Sequence, residues 1–337
     1  MPAIDVHAHA ILPDALEGMR AAHPDHAPSL YEEDGLTFMR YPGRKGLGPL
    51  PPGIFDARQR LADMDHQRVD TQVIALPPSQ FYYHSPLQVA VDFVRLQNDA
   101  LMALSDSRPD RFHLFPSLPL QDVDATMAEI DRVAGHPRVR GVALGTNLNG
   151  RDFHDPFFEP LWTELEARGL PVWTHPDQRA VAGADRLDVF YFENFIGNPL
   201  DSTIAIASLI FGGVLERHPD LRFGFVHGGG FAPYQIARWD HGWGVRPEAK
   251  QFIPRHPPRW YFNEMYFDSL THDALSLELL GRCVGWDHVV LGSDYPFDMA
   301  SADPVAGVDA VGLDAAERIG VLESNAGRFL RPLGSEP

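Results

Sequence analysis

The chain is poor in residues that several classes of protein require. Cys283 is the single cysteine among 337 residues, which excludes an internal disulfide and a cysteine-based zinc cage. Lysine occurs twice, as Lys45 and Lys250. Lysine and arginine together number 28 against 46 aspartates and glutamates, a formal charge of −18. Because so acidic a chain repels phosphate backbones and anionic lipid surfaces, we expect no nucleic-acid partner.

Long apolar runs are also missing. The most apolar stretch, residues 203–215, is too short to span a bilayer and contains two glycines, so we expect no membrane partner. Residues 1–10 lack the basic start and the apolar centre of a secretory signal. The low cysteine content suits a reducing compartment. From these features we expect a cytoplasmic location.

Apolar residues are nevertheless abundant, at 44% of the chain, and are enough for a large core. The length fits either two domains or one α/β barrel. Eight short apolar or β-branched runs alternate with helical periodicity, the pattern of βα units on a parallel sheet. We therefore predict a (β/α)8 TIM barrel that forms a single domain over residues 1–337. The predicted strands are 3–9, 71–76, 112–118, 139–145, 171–175, 222–227, 265–268 and 288–294.

Two segments are surplus to such a barrel. Residues 11–55 are rich in proline, glycine and histidine, and residues 177–201 are rich in aromatic side chains. They follow the first and the fifth predicted strands, where barrel loops carry function. We interpret both as insertions that form lids or subunit contacts rather than separate domains.

Metal-ligating residue types lie at the ends of four predicted strands. Asp5, His7 and His9 alternate along the first strand, so their side chains share the face that points into the barrel. The others end the fifth, sixth and eighth strands: His175, His227 and Asp294. Active sites of such barrels gather at the C-terminal strand ends, and zinc and similar ions prefer these ligands. We predict a metal site on that rim.

The fourth predicted strand limits how many ions this site holds. It ends in Gly145, Thr146 and Asn147, so no carboxylated lysine is available there to bridge two ions. We expect one divalent metal ion, zinc first and manganese as the alternative. Three glycines follow His227, and they serve either a sharp turn or the close approach of a substrate to the imidazole.

The chain resembles the metal-dependent amidohydrolase superfamily, amidohydrolase-related family 2, over nearly its whole length. Two motifs resemble the superfamily at large, IDVHAHAILP at 4–13 and VVLGSDYPF at 289–297. Two more are THP at 174–176 and the segment NPLDSTIAIASLIFGGVLERHPDLRFGFVHGGG at 198–230. The long segment is similar to the branch of 2-amino-3-carboxymuconate-6-semialdehyde decarboxylases in particular.

The resemblance implies a role for each residue that matches a family motif. It makes His7, His9, His175 and Asp294 the metal ligands and places His227 beside the ion as the acid/base group. Asp294 is the second candidate for proton transfer.

The resemblance also implies substrate contacts and a homodimer. Arg238 matches an arginine that in these decarboxylases binds a substrate carboxylate from the neighbouring subunit. The aromatic residue that lines the family's pocket falls at Phe190, with Tyr191 and Phe192 as neighbouring alternatives.

One family residue has no match. The position of a second carboxylate-binding arginine falls on Gly48, so either Arg40 or Arg44 reaches the site through the Pro/Gly loop or the contact is missing.

The resemblance implies a non-oxidative decarboxylase that acts on an unsaturated or aromatic carboxylic acid without an organic cofactor. The same residues also suit a metal-dependent hydrolase or hydratase, because a metal-bound water and the same acid/base pair would serve both reactions. A binding protein that keeps the metal for structure is a third alternative, which an open coordination position and an intact acid/base histidine disfavour.

Overall fold

The computed structural model describes residues 2–42 and 46–333. Each of the predicted apolar runs contains one strand of a parallel barrel. We label these strands β1 to β8 in chain order: Ile4–His9, Thr71–Ala75, Phe112–Phe115, Val142–Leu144, Val172–Thr174, Phe223–Phe225, Tyr266–Asp268 and Val289–Val290.

The strands follow one another around the barrel in sequence order. Parallel ladders pair β1 with β2 and β2 with β3. A second series of parallel ladders pairs each strand from β4 to β8 with the next one. Isolated bridges close the two remaining seams. Leu114 with Val139 and Ser117 with Ala143 join β3 to β4, and Ala8 with Tyr295 joins β1 to the segment after β8. Eight parallel strands in this closed order confirm the predicted (β/α)8 barrel. The assignment of residues 1–337 to one domain remains a prediction.

Helices surround the barrel, and aspartate caps begin several of them. Asp56, Asp122 and Asp273 each accept a hydrogen bond from a backbone N–H of the first helical turn. The α-helices are Pro13–Ala22, Ala57–His66, Leu87–Ser107, Val123–Ala134, Glu159–Ala167, Asn198–Phe211, Val214–Arg217, Ala232–Val245, Pro258–Phe262, Ala274–Val284, Pro304–Asp309, Ala315–Ile319 and Asn325–Phe329.

One predicted helix is wrong in its extent. The periodicity predicts a continuous helix over residues 203–217, whereas the structure has Asn198–Phe211 followed by the single turn Val214–Arg217. Gly213 lies between them at φ +69°, a left-handed conformation that ends the first helix.

The insertion after β1 is a small folded layer. It consists of the helix Pro13–Ala22 and a three-stranded antiparallel sheet. Its buried Met39 and Tyr41 belong to a second apolar cluster that includes Phe93 of the helix after β2. The insertion is therefore anchored beside the loop that follows β2. The sheet strands are Ser29–Glu33, Leu36–Arg40 and Leu47–Leu50.

The insertion after β5 contains little regular structure. Its two short turns are Ala184–Arg186 and Glu193–Gly197. Several of its aromatic side chains face solvent, with Phe190 80% and Phe195 52% exposed. Exposed aromatic residues are typical of surfaces that meet a ligand or another chain. None of the helices in the described ranges is both long and apolar enough to cross a membrane.

Candidate metal centre

Three histidines and one aspartate, carried by three strands, meet at the C-terminal rim of the barrel. His7 and His9 belong to β1, His175 follows β5, and Asp294 follows β8. Each offers one ligand atom, and these atoms all lie within 4.8 Å of one another. All four residues are buried, His175 being the most exposed at 8%. The structure thus brings together the residues that the resemblance implies as ligands.

Each of the three imidazoles directs its Nδ1 to an oxygen acceptor outside the cluster. The distances are 2.7 Å from His7 to Asp268 Oδ2, 3.1 Å from His9 to the Leu76 carbonyl, and 2.9 Å from His175 to the Pro176 carbonyl. Because these oxygens accept, each Nδ1 carries a proton, which leaves Nε2 as the ring nitrogen available to an ion at the centre.

The atoms at the centre suit a cation. His7 Nε2, His9 Nε2 and Asp294 Oδ1 are buried and have no hydrogen-bond partner in the described part of the chain. Asp294 Oδ1 lies 3.3 Å from His7 Nε2 and 3.1 Å from His9 Nε2. Buried polar atoms are normally satisfied, and imidazole nitrogen with carboxylate oxygen is the donor set of zinc and related ions. The residues present therefore fit one divalent ion.

The clustered residues affect one another's pKa values. Burial lowers the pKa of His9, and lowers that of His175 well below its usual range, so both stay neutral. Burial alone would also lower the pKa of His7, but the carboxylates of Asp294 and Asp268 outweigh it and raise the pKa to about 10. Burial would raise the pKa of Asp294, yet His7 holds it well below its usual range. A bound cation would take the place of the proton on His7.

His227 stands beside this cluster on its open side. Its Nε2 lies 3.6 Å from Asp294 Oδ2, and its ring centre lies 5.1 Å from that of His175. The His227 side chain is 18% exposed, more than that of Asp294 at 8%. This imidazole can therefore exchange a proton with both the centre and the solvent.

The three glycines after His227 form a sharp turn, which is one of the two roles that the sequence predicts for them. His227 itself has φ +55°, and Gly228, Gly229 and Gly230 also have positive φ. A Cβ on Gly230 would lie 2.1 Å from the carbonyl oxygen of Pro199. Only glycine fits there, so the turn that places His227 depends on it. Close approach of a substrate remains a prediction.

Asp268 at the end of β7 is a functional residue that sequence reasoning missed. One oxygen of its carboxylate contacts His7 Nδ1. The other accepts from the backbone N–H of Gly228 at 2.8 Å and of Leu270 at 3.2 Å. One buried carboxylate therefore fixes both an imidazole of the cluster and the turn that carries His227. The sequence did contain one indication of this role, because Asp268 is the last residue of a predicted strand, where active-site residues of such barrels lie.

Asp5 shares the inward face of β1 with His7 and His9 but does not join the cluster. It accepts hydrogen bonds from Ser293 Oγ at 2.6 Å and from Gln72 Nε2 at 3.1 Å. The buried Arg60 guanidinium donates to Gln72 Oε1 and to the carbonyl of His9. This network joins β1, β2 and the loop after β8 beneath the cluster.

The proposed substrate-binding residues lie outside the cluster. Arg238 is exposed on the helix Ala232–Val245 and makes no hydrogen bond or ion pair within the described residues. Phe190 is 80% exposed at φ +54° and packs on Phe192 with ring centres 5.5 Å apart.

Tyr191, the neighbouring alternative to Phe190, is half as exposed, at 40%. Burial, and then the nearby carboxylates of Asp298 and Asp294, raise the pKa of the Tyr191 hydroxyl to about 12. Which of these aromatic residues lines the pocket remains a prediction.

Of the two arginines considered for the unmatched family position, Arg40 lies within the described residues. Arg40 lies over the ring of Tyr31 at 4.6 Å, on the exposed side of the small sheet, whereas the next residue, Tyr41, is buried. Adjacent strand residues face opposite sides, so Arg40 points away from the face that Tyr41 contacts. Arg44 lies outside the described residues.

Three imidazoles and one carboxylate converge on the C-terminal rim of a closed (β/α)8 barrel. This arrangement is typical of metal-binding TIM-barrel proteins. The family model for amidohydrolases matches residues 4–331. The chain belongs to this amidohydrolase family.

Comparison with known proteins agrees with this membership. The chain is 33% identical to 2-amino-3-carboxymuconate-6-semialdehyde decarboxylase of Dictyostelium discoideum over 255 residues, 76% of this chain and 70% of that protein. Its fold is similar to that of IDCase from Metarhizium anisopliae in apo form, with a TM-score of 0.83, 22% identity and coverage of 97% and 96% of the two chains.

A second solved neighbour contains a metal and a small acid. It is 5-carboxyvanillate decarboxylase of Novosphingobium aromaticivorans complexed with manganese and 4-hydroxy-3-methoxy-5-nitrobenzoic acid. The TM-score is 0.81 at 19% identity, with coverage of 97% of this chain and 95% of the other. At these identities the two solved structures define the fold.

The contact between Asp268 and His7 generates the first prediction. Asp268→Asn removes the negative charge that orients the imidazole and strengthens it as a ligand. We expect the affinity for Mn²⁺ to fall about 10- to 100-fold, measured by calorimetric titration of the metal-free protein. Asp273→Asn, five residues further on at an exposed helix cap, is the matched control and should leave the affinity unchanged. Equal affinities of the two variants would contradict the role given to Asp268.

Proposed function

We propose that this protein is a metal-dependent non-oxidative decarboxylase that acts on an aromatic or unsaturated carboxylic acid. One observation carries the proposal: three buried imidazoles and the Asp294 carboxylate converge on one point, with His227 Nε2 3.6 Å from that carboxylate. The relative at 33% identity is named a decarboxylase, and the neighbour that holds manganese is one too. These names support the reaction class.

His7, His9, His175 and Asp294 would hold the single divalent ion. The Nδ1 contacts support this assignment, because they leave the Nε2 atoms free to act as ligands, and those of His7 and His9 lie 3.3 and 3.1 Å from Asp294 Oδ1. Zinc is the ion expected from the sequence, and the manganese in a solved neighbour supports the alternative. When bound, the ion supplies Lewis-acid stabilisation of negative charge on the substrate's carboxylate or on an adjacent hydroxyl.

His227 or Asp294 would deliver the proton that the reaction requires. The bond between the carboxyl carbon and the conjugated carbon breaks, its electron pair stays on the conjugated carbon, and carbon dioxide leaves. That carbon then takes one proton. His227 is the better placed donor, since its partial exposure lets it recover a proton from solvent. Because the conjugated system accommodates the electron pair, we infer that no organic cofactor takes part.

The test uses metal-loaded protein and a panel of hydroxylated benzoic acids and unsaturated acids in D₂O. We expect release of carbon dioxide and one deuterium at the vacated carbon. His227→Ala should lower turnover about 100-fold or more while retaining the metal, because this residue is assigned to proton transfer. His66→Ala, at an exposed helix end, is the control and should match the native rate.

Two outcomes would contradict the proposal. Incorporation of oxygen from labelled water into a cleaved or hydrated product, without carbon dioxide, would favour a hydrolase or hydratase. Full turnover in His227→Ala would remove this residue from the mechanism.

The cytoplasmic location remains a prediction.

We further propose a twofold-symmetric homodimer in which Arg238 of one chain contributes to the substrate pocket of its partner. The helix Ala232–Val245 carries Arg238 away from the metal centre of its own chain, since a helix rises about 1.5 Å per residue. The same helix exposes 78% of Tyr234, and neighbouring Phe195 and Phe231 are 52% and 41% exposed. Aromatic residues and arginine are enriched at the centres of protein interfaces.

Mixed dimers test this arrangement. An Arg238→Ala chain combined with a His227→Ala chain forms one site that has both groups, so decarboxylase activity should partly return. Combining His227→Ala with Asp294→Ala is the control, because both groups would act within one chain and no mixed site is complete. A failure of the first pair to recover, in dimers shown to be mixed, would contradict a shared site.

A further inference from the structure

The loop after β5 carries an arginine that none of the roles above uses. Arg179 lies four residues beyond His175, and its side chain is 18% exposed. Its Nε donates to both carboxylate oxygens of Asp177, at 2.7 and 2.9 Å, and its Nη2 donates to Oδ2 at 2.5 Å. The Asp177 side chain is only 3% exposed. A buried carboxylate therefore holds one edge of the guanidinium in a fixed orientation.

The contacts of Arg179 place it at the mouth of the barrel, between the loops that follow β2 and β5. Its Nη2 lies 3.5 Å from the carbonyl oxygen of Pro78 in the loop after β2. Pro78 is two residues from Leu76, whose carbonyl contacts His9. Because β2 and β5 are three strands apart in an eight-stranded barrel, a side chain that joins their loops lies at the barrel mouth. Arg179 thus joins the loop that follows His175 to the loop whose Leu76 carbonyl contacts His9, and the rings of these two histidines are 5.2 Å apart.

The surroundings of this arginine are polar and come from several loops. The carboxylate of Asp177 and the guanidinium of Arg179 are both close enough to Tyr41 and Tyr83 to act on the pKa values of the two hydroxyls. The Tyr83 hydroxyl accepts from the backbone N–H of Gly145, at the C-terminal end of β4, at 3.1 Å. Arg179 thus belongs to the loop cluster above the strand ends rather than to the outer surface.

Asp177 does not use all the donors of this guanidinium. A guanidinium has five N–H groups, and Nη1 of Arg179 has no hydrogen-bond partner in the part of the chain that the structure describes. This edge of the guanidinium can therefore donate to a bound anion. An open guanidinium edge beside a metal centre is suited to a carboxylate, which it binds through charge-assisted hydrogen bonds.

We propose that Arg179 binds a second acidic group of the substrate and that Asp177 is the residue that positions it. The inference rests on the proposed function, in which one carboxylate of the substrate meets the metal centre. It narrows the substrate class to conjugated or aromatic acids that carry a second carboxylate.

The test measures binding rather than turnover, so it does not depend on decarboxylation. Metal-loaded protein is titrated with isophthalate, a dicarboxylate, and with benzoate, its monocarboxylate counterpart. We expect Arg179→Ala to weaken isophthalate binding about 10-fold or more and to change benzoate binding less than about twofold. Arg179→Gln, which keeps the size of the side chain, should behave in the same way if the Ala variant does not fold. Asp177→Asn should weaken isophthalate binding selectively as well.

Arg186→Ala is the matched control, because this arginine is exposed in the same insertion, and it should bind both acids like the native protein. Equal loss of affinity for both acids, or no loss for either, would assign Arg179 to loop structure and overturn the proposal. Native protein that binds isophthalate no more tightly than benzoate would also overturn it. Failure of the proposed function has a separate signature, since it would show as absent carbon dioxide release while selective binding persisted.

Discussion

The Asp268 carboxylate is the constraint on which the geometry of the centre depends. One of its oxygens contacts His7 Nδ1 at 2.7 Å, and the other accepts from the backbone of Gly228 at 2.8 Å. It therefore sets the direction of a proposed ligand and, through the same group, the turn that presents His227. Because Asp268 is fully buried, these hydrogen bonds lie in a low-dielectric environment that strengthens them.

The seam between β8 and β1 shows how side chains support this arrangement. The bridge of Ala8 with Tyr295 lies at this seam, and backbone hydrogen bonds cross it from Val6 to Leu291 at 2.9 Å and from His9 to Tyr295 at 2.7 Å. Further contacts hold the seam, since Asp5 accepts from Ser293 and the backbone N–H of Asp294 donates to the carbonyl of His7 at 2.8 Å. These bonds fix the distance between the Asp294 carboxylate and the β1 imidazoles. The barrel thus orders its metal centre through the same contacts that close it.

The sequence predicts the barrel and the proposed ligands because both follow short-range rules. Strand runs have a local pattern, and His7, His9, His175 and Asp294 occupy strand ends that a parallel barrel brings to one rim. The role of Asp268 depends on a partner 261 residues away, which no local pattern encodes. The orientation of Arg179 likewise depends on loops from two strands.

The helix break at Gly213 and the exposure of Phe190 escaped sequence reasoning for a different reason. Apolar periodicity continues through residues 203–217, whereas the left-handed φ of Gly213 is a backbone property that periodicity does not report. The insertion that contains Phe190 has little regular structure, so the side-chain direction there follows from loop packing.

The measurement that tests the central claim most directly is the metal content of the protein, determined by elemental analysis after reconstitution and removal of free ion. One divalent ion per chain is predicted for the native protein, and little or none for Asp294→Ala, because that variant removes the carboxylate on which the Nε2 atoms converge. Two ions per chain, or a full equivalent retained by Asp294→Ala, would contradict a single centre built from His7, His9, His175 and Asp294.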